Sequence, residues 1–225
     1  AEARNIRYDI LVDYCKRNNI KVLLTAHNLE DQVETFFIRL SRGSGLKGLS
    51  AMKSITKINK KVVLFRPLLD VKKFFLIKIS KNIFSKYFKD PSNKNIKYLR
   101  TKIRNLKKPL EQSGIKYDQI FKSIQNLSLS KNTLDVYLNK TFQELIKKVN
   151  KVILINFEKY KKLSKDTQIA LINESVKQLK KNYYDLRSKK VNNLIKSLNK
   201  KDFKKQTLGG CVFYKKDDNL CLKVE

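Results

Sequence analysis

The segment 22–52 constrains the fold of this chain most, because an apolar strand pattern in it changes directly into a helix pattern. The run Val22–Leu24 ends at the small residues Thr25 and Ala26, as is typical of a buried parallel strand. From Leu29 onward the apolar residues recur at helical spacing until glycines interrupt them. Ligands of open α/β sheets bind at the carboxyl ends of strands, so we expect a site at this junction.

Three polar residues at this junction are candidates for chemistry. His27 precedes the helix, and Asp31 and Glu34 are three residues apart on it, so their carboxylates project from one side. Histidine can take up a proton near neutral pH, and paired carboxylates can bind an ammonium group. Each residue also has a structural interpretation, as a hydrogen-bonded histidine and as acids that favour the first turn of a helix.

Basic residues are candidates for binding an anionic group of the ligand in the same site. Arg100 and Arg104 are four apart on a predicted helix, and a guanidinium can grip a phosphate or carboxylate with two hydrogen bonds. The same pair could be a plain exposed basic face. The glycine loop that begins at Arg42 could approach a ligand closely, or it could simply end the preceding helix.

The net charge of +31 lies almost entirely after residue 50. Residues 1–50 carry a net charge of +2 and residues 51–225 carry +29. A polyanionic partner such as RNA would therefore meet mainly the later part of the chain. The alternative is that the lysines reflect a compositional bias and are solvated on every helix.

The cysteines and the hydropathy pattern exclude several classes of protein. Cys15, Cys211 and Cys221 are too few and too far apart for a disulfide framework or a zinc site, which points to the reducing cytoplasm. No apolar run reaches the roughly 18 residues that cross a bilayer, and no signal peptide opens the chain, so no membrane partner is expected.

The patterns predict an α/β fold class, the remainder of a Rossmann-like parallel sheet with flanking helices, followed by a mostly helical basic domain. Asp70 is expected to cap a helix from Val71 to about residue 85, in which Phe74, Phe75, Leu76 and Ile79 supply a core face. Phe36 and Phe37 are also expected in the core. Other predicted helices cover residues up to about 18, 30–42, 117–150, 166–182 and 191–200, and predicted strands cover 21–26, 54–58, 62–65 and 152–157.

Several ordered motifs resemble one family. The strings TAHNLEDQVET and RLSRGSGLKGLSAM are similar to a signature of tRNA(Ile)-lysidine synthases, which belong to the N-type ATP pyrophosphatases of the PP-loop group. The segment FRPLL from Phe65 and the segment Asp90–Pro109 resemble later motifs of that family in the same order. The helix around Arg7 resembles the element before the signature, and the short string from Thr207 to Cys211 is compatible with a later domain.

The resemblance implies a reaction and a set of residues. In this family ATP, expected with Mg²⁺, adenylates the wobble cytidine of tRNA(Ile) with a CAU anticodon, and free L-lysine then displaces AMP. It implies catalytic roles for His27, Asp31 and Glu34, and no metal-ligating residues. The implied substrate-binding residues are Arg7, Arg100, Arg104, Asp31 and Glu34, and the implied nucleotide-binding residues are Ala26, His27, Arg42, Gly43, Ser44 and Gly45. The sequence leaves open whether a homodimer forms.

The chain also departs from the family pattern. No SGGxDS phosphate-binding loop occurs, so we expect a fragment that binds ATP poorly on its own, and Asn28 stands where many relatives carry a second histidine. The end is expected to be premature, because an isolated strand pair has little to pack against. The predicted domains are 1–108, a partial PP-loop catalytic domain; 109–116, a linker; 117–205, a basic helical tRNA-binding domain; and 206–225, the start of a strand region. The alternative function is a non-catalytic basic RNA-binding protein that retains a relic of the synthase fold.

Overall fold

The computed structural model describes residues 2–59, 61–87, 97–180, 186–200 and 202–225. Contacts between Cα atoms group the chain into two compact units, residues 1–131 (unit 1) and 132–225 (unit 2). The predicted domain bounds are different and stay a prediction. The segment predicted as a linker contains the end of a short helix, Lys107–Gln112.

Unit 1 contains a three-stranded sheet with strand order β1-β3-β2. The strands are β1 (Val22–Leu24), β2 (Ile55–Lys57) and β3 (Val63–Phe65). β1 pairs with β3 in parallel, and β2 pairs with β3 antiparallel. The predicted α/β class with a parallel strand pair is confirmed, and the antiparallel β2 makes the sheet mixed.

Unit 1 also contains helices, of which two short ones, residues 46–49 and 107–112, were not predicted. The helices are α1 (Glu2–Arg17), α2 (Leu29–Leu40), α3 (Leu46–Leu49), α4 (Lys73–Phe84), α5 (Leu99–Asn105), α6 (Lys107–Gln112) and the start of α7 (Tyr117–Leu145). The boundary between the units falls within α7. Residues 88–96, which include the first part of the motif from Asp90, lie outside the described residues.

The apolar packing of unit 1 is divided into two small clusters. One cluster joins α2 to α7 through Leu29, Val33, Tyr117, Ile120 and Ile124, and Phe36 and Phe37 pack against it as predicted. The other consists of Val12, Cys15 and Val62, with Leu23 of β1 packed against them.

The prediction of a core face on α4 is wrong. No residue of α4 is buried, and the exposed fractions of Phe74 and Phe75 are 67% and 51%. Apolar spacing shows that a helix has an apolar face, but tertiary packing decides what covers it. Asp70 does not cap this helix either: the N-cap is Lys72, which makes no side-chain capping bond.

Unit 2 contains a five-stranded antiparallel sheet with strand order β4-β5-β8-β7-β6. Its elements are the end of α7, β4 (Ile146–Val149), β5 (Val152–Asn156), α8 (Phe157–Lys161), α9 (Lys165–Leu179), α10 (Ser188–Leu198), β6 (Lys205–Leu208), β7 (Cys211–Lys216) and β8 (Asn219–Val224). The predicted strand at 152–157 is confirmed. The predicted helix 117–150 ends earlier, because residues 146–149 form the edge strand β4.

One apolar cluster fills the space between this sheet and its helices. Ile153, Ile155, Phe213 and Leu222 from alternate strand positions meet α9 and α10, and each of these four side chains is fully buried. Alternation along a strand sends every second residue to one face, which explains the pattern. The expectation that the last strands have little to pack against is wrong, since β8 lies between β5 and β7.

In the part of the chain that the structure describes, no helix is both long enough and apolar enough to cross a membrane.

Candidate functional site

The predicted site begins where β1 passes into α2. Asn28 is the N-cap of α2, and its side chain accepts from the backbone N–H of Asp31 at 3.1 Å. In return Asp31 Oδ2 accepts from the backbone N–H of Asn28 at 3.1 Å, which completes a capping box. His27 Nδ1 lies 2.9 Å from Thr25 Oγ1. The structural interpretation of Asp31, as an acid that favours the first turn of a helix, therefore agrees with this capping box.

Asp31 has a second contact, and it shares this contact with Glu34. Arg100 of α5 donates from Nη2 to Asp31 Oδ1 and from Nε to Glu34 Oε2, each at 2.6 Å. One guanidinium thus bridges the two predicted acids across a sequence separation of 66 to 69 residues. The structure brings together Asp31, Glu34 and Arg100 as one group.

Arg104, one turn further along α5, completes this group. It donates from Nε to Glu34 Oε1 at 2.6 Å and from Nη2 to Glu34 Oε2 at 3.2 Å. The hydrogen bond to Glu34 raises the pKa of Arg104 above its ordinary value, and burial opposes this. We call Asp31, Glu34, Arg100 and Arg104 the ion cluster. Its two acids and two bases compensate one another.

Burial differs among members of the ion cluster. The Glu34 side chain is 4% exposed and the Asp31 side chain is 18% exposed, whereas Arg100 and Arg104 are 35% and 29% exposed. A carboxylate as buried as Glu34 is tolerated only when it is paired and hydrogen-bonded. The interpretation of Arg100 and Arg104 as a plain exposed basic face does not fit these contacts.

Sequence reasoning missed that the two sides of the site would pair with each other. It assigned the acids to an ammonium group and the arginines to an anion. The i,i+3 spacing of the acids and the i,i+4 spacing of the arginines match two facing helices, and this match was the available signal.

A neighbouring acid ties two more helices to the start of α2. Glu30 Oε2 accepts from the backbone N–H of Lys73 at 2.8 Å, at the first turn of α4. Lys107 Nζ lies 3.9 Å from Glu30 Oε1 and 4.0 Å from a carboxylate oxygen of Glu111. A distant carboxylate thus takes the place of the local cap that was predicted at Asp70.

Tyr117, which sequence reasoning did not single out, is buried beside the ion cluster. Burial and the carboxylates of Glu34, Glu111 and Glu30 raise its pKa to about 12. Its hydroxyl has no hydrogen-bond partner among the residues that the structure describes. A small cavity of about 270 Å³ at this place is lined by Leu29, Glu30, Lys72, Lys107, Glu111, Lys116, Tyr117 and Asp118.

The glycine loop after α2 forms a helix C-terminal motif. Gly43 has φ of 67°, its N–H donates to the carbonyl of Leu40, and the N–H of Ser44 donates to the carbonyl of Arg39. These two bonds are those of a Schellman motif, so both amides are used by the helix itself. The interpretation of this loop as a helix C-cap therefore describes its geometry.

Two side chains of α2 form hydrogen bonds with the backbone of the segment that follows this loop. Arg39 Nη1 donates to the carbonyls of Gly48 and Ala51, both at 2.7 Å, and burial lowers the pKa of Arg39. The Gln32 amide donates to the carbonyl of Met52 and accepts from its N–H. These contacts attach the segment RLSRGSGLKGLSAM to α2 and so give its residues a structural role.

The predicted nucleotide-binding residues fall into two separate groups. Ala26 and His27 precede α2, whereas Arg42, Gly43, Ser44 and Gly45 follow it. The helix has 12 residues, which corresponds to a length of about 18 Å. Arg7 lies exposed on α1. The nucleotide-binding roles of these residues stay a prediction.

Within the described ranges, no group of three or more His, Cys, Asp or Glu side chains could hold a metal ion. The thiols of Cys15, Cys211 and Cys221 are free and buried.

Comparison with known proteins bears on both units. Residues 1–110 match a family model described as a PP-loop domain. A tRNA(Ile)-lysidine synthase of Wolbachia pipientis wMel is 31% identical over 98% of this chain and 52% of its own length. The protein of the same name from Wolbachia sp. subsp. Brugia malayi is 32% identical over 99% of the chain and 52% of its own length. That of Orientia tsutsugamushi is 43% identical over 49% of the chain and 24% of its own length.

The chain spans about half the length of the first two of these curated relatives. The prediction that the chain is a fragment without its phosphate-binding loop is not borne out by the family match. The predicted resemblance, by contrast, is confirmed in both units. We conclude that residues 1–110 match a PP-loop domain model, within a chain that is similar to tRNA(Ile)-lysidine synthases along nearly its whole length.

Proposed function

We propose that the protein containing this chain is an ATP-dependent ligase that joins free L-lysine to the wobble cytidine of tRNA(Ile). The observation that carries the proposal is the similarity to tRNA(Ile)-lysidine synthases over 98% of the chain, which includes the PP-loop domain and the basic unit 2. The net charge of +29 on residues 51–225 supports an RNA substrate.

The reaction has two steps. The C2 oxygen of cytidine attacks the α-phosphate of ATP, an O–P bond forms and diphosphate leaves. The side-chain amine of lysine, after losing a proton, then attacks C2; a C–N bond forms, the C–O bond breaks, and AMP leaves with the oxygen. Such a site needs groups that bind an ammonium ion, groups that bind phosphate, and a proton acceptor.

For the lysine side we assign different roles to the two acids. Asp31 is the more exposed acid and could receive an ammonium group of the substrate at the edge of the ion cluster. Glu34 is nearly buried and holds both arginines, so we propose it as a positioning residue. Because the ion cluster is already compensated, an incoming ammonium group must share Asp31 with Arg100 rather than fill an empty negative pocket.

For the anion side, Arg100 is the strongest candidate. A guanidinium has five N–H donors, and the contacts with Asp31 and Glu34 use two of them. The remaining donors of this partly exposed side chain could hold the carboxylate of lysine or a phosphate. Arg104 would act with it, and Arg7 remains a proposed contact from α1.

For the nucleotide, we keep Ala26 and His27 at the end of β1, where ligands of α/β sheets bind. His27 is proposed as the proton acceptor or as a contact of the cytidine. Contacts from Arg42, Gly43, Ser44 and Gly45 would need side chains or the remaining backbone atoms, since the amides of Gly43 and Ser44 bond within the loop. Mg²⁺ would arrive with the phosphates of ATP. We expect the protein to act in the cytoplasm, and a homodimer stays untested.

The alternative, a non-catalytic RNA-binding protein with a relic of the synthase fold, is not favoured. The ion cluster keeps its acids and its arginines together with hydrogen bonds of 2.6 Å, and the similarity to the synthases continues through both units.

Incorporation of radioactive lysine into a tRNA(Ile) transcript with a CAU anticodon tests the proposal. Asp31→Asn and Arg100→Lys should each lower incorporation by at least about tenfold, because each removes one charge-assisted contact worth about 1.5–3 kcal/mol. Asp13→Asn is the matched control, since Asp13 pairs with Lys16 on the exposed side of α1.

The proposal needs ATP dependence and AMP release in the same assay. Incorporation that is unchanged in Asp31→Asn and Arg100→Lys would remove both residues from the site. The absence of any incorporation by the protein that contains this chain would favour the RNA-binding alternative.

A further inference from the structure

We propose that the face of the unit 2 sheet opposite its apolar cluster binds an unpaired nucleotide of RNA, with Tyr214 stacking on the base and lysines pairing with phosphates. We call this surface the outer face; it is formed by Lys147, Val152, Leu154, Lys205, Thr207, Val212, Tyr214, Lys216, Cys221 and Lys223. This inference rests on the proposed function, in which the substrate is a tRNA.

The strand register defines the outer face. Tyr214 lies between Lys205 on β6 and Cys221 on β8, and Val212 lies between Thr207 and Lys223. Cross-strand neighbours in an antiparallel sheet lie about 4.5–5.5 Å apart, so these residues form two adjacent rows. The intervening residues Cys211 and Phe213 point into the apolar cluster instead.

The outer face carries a strongly one-sided charge. Four lysines lie on it, Lys147, Lys205, Lys216 and Lys223, and the five strands contain neither aspartate nor glutamate. Lys205 and Lys223 flank Tyr214, and both are exposed. Glu225 lines the groove described next, and the carboxylate of Asp217 acts electrostatically on Cys221 of this face. A polyanion is the partner that matches such a surface.

Tyr214 also lines a groove, to which β7 and β8 contribute side chains from both faces of the sheet. This groove of about 700 Å³ is lined by Lys204, Lys205, Val212, Tyr214, Lys215, Lys223, Val224 and Glu225. Lys223 Nζ lies 6.0 Å from the centre of the Tyr214 ring. The groove therefore offers one aromatic ring, with apolar Val212 beside it and ammonium groups around it.

These features favour RNA with an unpaired base over other anionic partners. Aromatic side chains on a sheet bind nucleotides by stacking, and neighbouring lysines bind the backbone phosphates. A duplex would offer its phosphates but no free base face to Tyr214. A membrane surface would need protruding apolar side chains, whereas Val212 and Tyr214 are only partly exposed.

Binding of fluorescent RNA to the full chain tests the inference. We expect a single-stranded RNA to bind more tightly than a duplex of the same sequence. Tyr214→Leu should weaken single-strand binding about 5- to 150-fold, the range for losing one stacked base, and should leave duplex binding unchanged. Tyr214→Phe keeps the ring and should bind as the wild type does. Circular dichroism establishes that each variant is folded.

The lysines are tested by salt dependence. The double variant Lys205→Ala with Lys223→Ala should reduce the slope of log affinity against log salt by about 1.4, since each phosphate contact on a single strand contributes about 0.7. Lys189→Ala with Lys196→Ala makes the same change in charge on α10, in the same unit, and should leave the slope unchanged. If both double variants reduce this slope equally, binding depends on the overall positive charge of the unit rather than on the outer face, and the inference is overturned.

Other outcomes separate this inference from the proposed function. If the wild type binds RNA and Tyr214→Leu binds it equally well, the outer face is not the site, and the proposed function is unaffected. If the wild type binds neither single-stranded RNA nor a tRNA(Ile) transcript, both fail. Tighter binding to anionic vesicles than to RNA, lost in the Lys205 and Lys223 double variant, would identify the face as a membrane contact and overturn the inference.

Discussion

The two units are stabilised by different physical means. Unit 2 has one continuous apolar cluster, in which Phe213, Leu222 and their neighbours are fully buried. Unit 1 has two small apolar clusters, and its α2 and α5 are joined by the ion cluster around Glu34. Unit 1 also leaves the apolar face of α4 exposed.

This difference bears on where the residues that could take part in a reaction lie. Burying apolar surface is favourable in itself, whereas burying charges costs free energy that pairing must offset. A group such as the ion cluster is therefore a poor device for stability alone. Its presence on the helix that follows a parallel strand agrees with the proposed active site, and the packed core of unit 2 agrees with the proposed RNA-binding surface.

The largest expected effect is the loss of stability when a buried aromatic residue is replaced, compared with the replacement of an exposed one. Phe213→Ala should destabilise unit 2 by about 3–5 kcal/mol, because it opens a cavity in a closely packed cluster. Phe74→Ala is the matched control and should cost less than about 1 kcal/mol, since Phe74 is 67% exposed. Hydrogen exchange resolved by peptide measures each unit separately; equal effects would contradict the assigned packing.

A second, smaller effect concerns the ion cluster. Glu34→Gln should destabilise unit 1 by about 2–3 kcal/mol, below the 3–5 kcal/mol of fully buried pairs because both arginines are about a third exposed. Glu174→Gln removes an acid from an exposed pair with Lys177 in unit 2 and should change stability by less than about 0.5 kcal/mol. Denaturation in urea, followed by exchange in each unit, provides the measurement. A Glu34→Gln protein as stable as the control variant would show that the ion cluster is not formed in solution.

The smallest effect is a change in alkaline stability at Tyr117. Its folded pKa of about 12 exceeds the ordinary value of 10.0, so the folded state favours the neutral phenol. The contribution of Tyr117 to stability is constant below about pH 10 and is lost as the pH rises toward about 12. Relative to the wild type, Tyr117→Phe should therefore gain stability between about pH 9 and about pH 11.

Urea unfolding at these two pH values measures this gain. Tyr160 also has a raised pKa, but it is present in both proteins and cancels in the difference. A difference between the variant and the wild type that is the same at both pH values would contradict the burial of the Tyr117 hydroxyl beside Glu34.

The order of helices and strands could be predicted largely from local patterns. The strand Val22–Leu24, the helix after it and the strand Val152–Asn156 follow from apolar spacing and turn residues. The candidate site was located for the same reason, at the end of a strand. The edge strand Ile146–Val149 was missed, because its IKKV sequence lies at the end of a helix pattern and becomes a strand only by pairing with β5.

The sequence by itself determined the α/β class, the position of the acids on α2 and the basic charge after residue 50, because each depends on spacing or on composition alone. Only the tertiary structure decided that Arg100 and Arg104 pair with those acids, that Glu30 caps α4, and that the phenylalanines of α4 are exposed. These outcomes depend on which elements meet across more than 40 residues of chain. Local sequence propensity does not predict which elements come into contact, since the same side chain can form an ion pair, cap a helix or face solvent.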